Sequence, residues 1–210
     1  MRKPTLTSIA TATVLAAALM TGCGTGSDDH APAAGTSGGQ ASATPATKQL
    51  AFGQPAEVLG YNLTKIRVTP TAVLYHRGPY TSGVDGPENG WFVAIAVKAE
   101  ALQKPDTTAG GAGGGGFQWR GAGQTISGID GNAVGTPWVG AVPEFGTDSP
   151  IEPGDPREGV ETFDVPAKGG RLVYLSPEDH TITAAWTLPA EDEGASPAMV
   201  TVQKRIKEFS

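Results

Sequence analysis

Proline is placed so densely in the middle of this chain that no ordinary helix fits there. Pro105, Pro137, Pro143, Pro150, Pro153 and Pro156 would each remove a helical hydrogen bond and drive a ring into the preceding turn. What remains from about Leu50 onward is a series of short runs rich in β-branched and aromatic residues, separated by Gly, Pro, Asn and Asp. That is the pattern of an antiparallel β protein. The expected strands are Ala56–Tyr61, Leu63–Val68, Ala72–His76, Trp91–Leu102, Gly116–Arg120, Val160–Val165, Arg171–Ser176 and Thr181–Leu188. No long helical stripe is found.

Alternation assigns faces within these strands. Trp91, Val93, Ile95 and Val97 share one face, with Phe92, Ala94, Ala96 and Lys98 opposite. The second face starts apolar and turns polar, which places this strand in the middle of its sheet. Ile182, Ala184, Trp186 and Leu188 likewise point together, as do Phe163 and Val165. Seven or eight such strands suit an all-β, immunoglobulin-like, two-sheet antiparallel β-sandwich over residues 49–189. The chain has one cysteine, so no internal disulfide joins the sheets, and Trp91 and Trp186 are expected to fill the core instead. Residues 190–210 are expected as a C-terminal tail or an edge strand, because Val200, Val202 and Ile206 alternate with Thr201, Gln203, Arg205 and Lys207.

The single cysteine has a telling position. Arg2 and Lys3 precede an apolar run, Ile9 to Met20, which is too short to span a bilayer but suits a signal peptide. Thr21-Gly22-Cys23 follows at once. This stretch resembles the lipobox of bacterial lipoproteins, with Met20 at the usual leucine position. The resemblance implies cleavage after Gly22, removal of residues 1–22 and a diacylglyceryl group on Cys23. Two acyl chains hold a protein stably in a membrane where one does not. Residues 23–48, mostly Gly, Ser, Thr, Ala and Pro, are expected as a disordered linker. Loss of the leader takes Lys+Arg from 15 to 13 against 21 Asp+Glu, a net charge of −8. So acidic a chain is a poor partner for nucleic acid.

Three further segments carry a second resemblance. Gly90 to Lys98, Ile151 to Asp155 and Gly159 to Pro166 together resemble the telokin-like, immunoglobulin-like domains of lipoproteins from high-GC Gram-positive bacteria. The resemblance spans about residues 49–189. It implies a fold and display at the outer face of the cell membrane; the family's functions are largely unknown, so it implies no reaction.

Chemistry-bearing residues are sparse. No Gly-x-Ser-x-Gly elbow occurs, and His30, His76 and His180 are scattered, which gives neither an activated nucleophile nor a zinc site. His30 beside Asp28 and Asp29 reads as solvated linker. Asp148, Glu152, Asp155, Glu158 and Glu161, with Asp130-Gly131-Asn132, could offer oxygens to calcium, but the spacing is not that of an EF-hand, and solvated loops are the plainer reading. The glycine run from Gly110 to Gly116 lacks the Gly-Lys-Ser/Thr of a phosphate loop. No catalytic residue, metal or cofactor is therefore assigned. Trp119, Arg120 and Trp138 are the residue types that dominate interfaces; they form either a partner surface or the cover of a sandwich end. The expected function is a non-enzymatic binding module on a lipid anchor, facing an envelope protein or polymer. The alternatives are a small envelope hydrolase and a solute-binding lipoprotein of a transporter.

Overall fold

Both faces of the central strand are apolar, and in the structure both are buried, each by a different layer. The computed structural model describes residues 47–81, 83–110, 115–131, 133 and 149–210. Within it, β4 (Trp91–Ala101) turns Val93, Ile95, Val97, Ala99 and Ala101 toward a second sheet. It turns Phe92, Ala94 and Ala96 toward a helix. Antiparallel neighbours flank it, β3 (Lys65–His76) on one side and β7 (Arg157–Val165) on the other.

The sequence expectation of two strands, Leu63–Val68 and Ala72–His76, is corrected to one. The register of β3 on β4 shifts between Pro70 and Ala72, and an extra residue in a strand reverses which side chains face the core. Ile66 and Val68 point into the sandwich before the bulge, Val73 and Tyr75 after it. Pro70 has no N–H to offer the outer edge of the sheet. That edge is accordingly split between two short strands, β2 (Ala56–Leu59) before the bulge and β10 (Glu193–Gly194) after it.

The opposing sheet runs in the order β1 (Lys48–Leu50), β9 (Ile182–Thr187), β8 (Arg171–Leu175), β5 (Gly116–Gly121) and β6 (Gln124–Ser127). All its pairs are antiparallel except β1 with β9, which is parallel. The two sheets enclose Trp119, Trp186, Tyr174, Phe163, Ile66, Ile95 and Leu172, all nearly or wholly inaccessible. The result is the immunoglobulin-like sandwich that the strand pattern calls for. Trp186 fills the core as expected, its Nε1 donating to Gln54 O at 2.7 Å. Trp91 is only partly buried at the margin, and Trp119 takes the second central place.

The C-terminal segment is a correction. Residues 197–209 are neither tail nor strand but α1 (Pro197–Phe209). Ser196 caps it, its Oγ accepting from Met199 N at 3.1 Å, and Pro197 sits in the first turn, where its missing N–H costs nothing. Ala198, Met199, Val202 and Ile206 are buried at the three- and four-residue spacing of a helical face. Met199, Val202 and Ile206 cover Ala72, Leu74, Phe92, Ala94 and Ala96. Val200, which the alternating reading placed with Val202, is 62% exposed. Among the described residues no helix is long and apolar enough to cross a membrane.

Candidate interaction surface

The residues nominated from sequence scatter. Gly22, Cys23, His30, Asn132, Trp138 and Asp148 lie outside the described residues. Trp119 is 1% exposed and its Nε1 donates to Gly169 O at 2.8 Å, so its ring is core and not partner surface. Arg120, half-buried, donates from Nη2 to Gln118 Oε1 at 3.3 Å. His76 ends β3, while His180 sits in the β8–β9 turn at the other end of the sandwich, so they do not meet. His76 Nδ1 lies 2.9 Å from the Tyr80 hydroxyl and accepts from Gly78 N; burial holds this imidazole below its usual pKa range against the pull of Asp192.

The acidic stretch is also dispersed. Glu158 is engaged by Thr71 Oγ1 and by Ala198 N at the start of α1, where a carboxylate meets the positive end of the helix. Asp130 accepts from Ser127 N, and Glu152 and Asp155 stand exposed in a turn. Among the described residues no three His, Cys, Asp or Glu side chains are grouped to hold a metal ion. The glycine run ends at Gly116, whose φ of +82° and close pass over Ala109 O leave no room for a side chain, a backbone reason for that glycine.

One end of the sandwich gathers aromatic and cationic groups, but they are spent on one another. Arg77 and Lys168 both lie over the Trp91 ring, at 4.9 and 4.8 Å from its centre. Lys168 also pairs with Glu191 at 2.9 Å.

The opposite end holds a feature that sequence reading missed. Between β2 and β3 the turn Gly60–Thr64 is fastened by a carboxylate from more than forty residues away. Asp106, wholly inaccessible to solvent, accepts on Oδ1 from Asn62 N (2.9 Å), Asn62 Nδ2 (3.2 Å) and Thr107 N (2.8 Å). On Oδ2 it accepts from Thr64 N (3.1 Å) and Thr64 Oγ1 (2.6 Å). Burial alone would raise the pKa of this acid, but the donors outweigh it and hold the carboxyl below its ordinary value of 3.8. A side chain at Gly60 would run into the Asp106 carboxylate at 2.6 Å, so only glycine fits.

This fastening has an unusual product. Leu63 adopts φ +61°, a left-handed conformation that costs a non-glycine residue about 1–2 kcal/mol. It does so while 52% exposed, beside Tyr61 at 62%. Strain that the surroundings over-determine is commonly functional, and here it buries nothing; it presents a Tyr and a Leu to the outside on a rigid turn. The local signal was a Gly-Tyr-Asn-Leu-Thr turn, but nothing near it in sequence identifies Asp106 as its clasp.

No family model, curated protein or solved structure matches this chain.

Proposed function

We propose that the chain is a lipoprotein anchored through Cys23 at the outer face of the cell membrane, and that its sandwich is a non-enzymatic module that meets the envelope through the turn Tyr61–Leu63. The observation that carries the contact is the Asp106 clasp, which holds two apolar side chains in water at a cost in backbone strain. Apart from this pair, exposed large apolar side chains among the described residues are single, at Ile129 and Val200, and single ones need no explanation. The sequence from Ile9 to Cys23 supports the anchor.

Tyrosine modification with a membrane-impermeant reagent tests this reading. In a purified Cys23→Ala protein Tyr61 reacts readily, while Tyr75 and Tyr174, both buried, do not. On intact cells carrying the anchored protein, Tyr61 is expected to react at least several-fold less, whereas the exposed amine of Lys204 on α1 is acylated equally in both. Equal reaction of Tyr61 on cells and in solution would show that the turn touches nothing.

A further inference from the structure

We infer that the partner of the Tyr61–Leu63 turn is the lipid surface itself, on the reading that Cys23 is an anchor. The turn lies at the end of the domain where the described chain enters. Thr47 Oγ1 donates to Ile182 O at 3.1 Å, and Lys48 is aligned with Ala184 in β9. Ile182 is aligned with Leu175 at the end of β8. The neighbouring Tyr174 hydroxyl donates to Leu59 O at 2.9 Å, next to Gly60. Entry point and turn therefore share one end of the sandwich. Thr47 follows Cys23 by only 24 residues, so the chain that carries the proposed anchor joins the domain at this end. An anchored domain so tethered presents this end to the bilayer at high effective concentration, where even a weak contact is populated.

The residues suit an interface between water and hydrocarbon. Tyrosine prefers the headgroup level, its ring apolar and its hydroxyl wet, and leucine supplies the apolar tip. Lys65 directly after the turn and Lys104 just before Asp106 are both exposed, and their stems can lie along the surface with the ammonium groups in the headgroups. Glu152, Asp155, Glu178 and Asp179 stand at the same end, so net charge does not drive the contact; apolar insertion does. The contact is shallow, since two side chains bury too little to hold a protein unaided, and it orients a domain that the anchor already retains.

The test places a benzoylphenylalanine photo-crosslinker at Tyr61 or at Ala122. Ala122 is exposed in the β5–β6 turn at the opposite end. The full lipidated chain is floated with vesicles of phosphatidylglycerol and phosphatidylethanolamine, illuminated and read by mass spectrometry. At least five-fold more lipid adduct is expected from position 61 than from 122. Leu63→Gly, which suits the positive φ and removes the apolar tip, should at least halve the yield at 61. Equal adducts at the two positions, or a crosslinked dimer at 61 in place of lipid adduct, would overturn the inference alone. A chain that does not float at all overturns both the inference and the anchor on which it rests.

Discussion

Asp106→Ala is expected to be the most damaging single change outside the hydrophobic core, lowering stability by about 3–5 kcal/mol. The carboxylate is wholly buried and is the acceptor for five donors. Truncation leaves those part-buried donors facing an apolar methyl group, and losing a charged acceptor shared by several donors costs more than an average hydrogen bond is worth. In a domain of this size the loss corresponds to a fall in melting temperature of roughly 10 °C. The pH dependence follows from the direction of the shift. A carboxyl whose pKa is lower in the folded chain than its ordinary 3.8 stabilises the fold fully above that ordinary value. The contribution fades as pH falls through 3.8 toward the folded pKa. The wild-type chain should therefore lose stability on acidification below about pH 4, and Asp106→Asn, already destabilised, should show a shallower acid dependence. Urea unfolding at pH 7 and at pH 3 measures both. A loss under 1 kcal/mol at pH 7 would mean that the turn is held by something other than this carboxylate.

Trp119→Ala is expected to cost about 3–5 kcal/mol, the usual toll for emptying a buried aromatic site. Trp119 is fully enclosed between the sheets, and its indole N–H satisfies the Gly169 carbonyl, so truncation opens a cavity and orphans an acceptor. An exposed interface tryptophan would behave otherwise, with a stability change within about 0.5 kcal/mol and a loss of binding. Thermal unfolding of the variant separates the two roles.

Trp119 also shows where sequence reading succeeds and fails. Its residue type, common at interfaces, suggested a partner surface, although Phe117 and Trp119 share one face by simple alternation, and both are buried. Where period two runs unbroken, as in β4, the faces were legible; in β9 Ala184, Trp186 and Leu188 reach the core as the alternation implies, but the register shifts on β8 beside Leu175 and Ile182 does not join them. In β3 the bulge beside Pro70 reverses the parity, and one strand looked like two. In α1 the buried Ala198, Met199, Val202 and Ile206 carried a helical period, and Ser196-Pro197 carried a start signal. Val200 and Val202 imitated an alternation that Lys204 already breaks. The apolar second face of β4, Phe92, Ala94 and Ala96, placed that strand centrally in its sheet, but the helix that covers it was not foreseen. The Asp106 clasp was not legible at all. A hydrogen-bond acceptor 44 residues from Asn62 leaves no periodic trace, and an aspartate beside Pro105 looks like any other turn residue.

The proposed anchor holds a sandwich domain to a membrane through one sulfur. Mass spectrometry of the N-terminal peptide from membrane-isolated protein tests it most directly. The chain is predicted to begin at Cys23 with a diacylglyceryl group on its thiol; an unmodified Cys23 thiol, or a peptide still carrying residues 1–22, would contradict it.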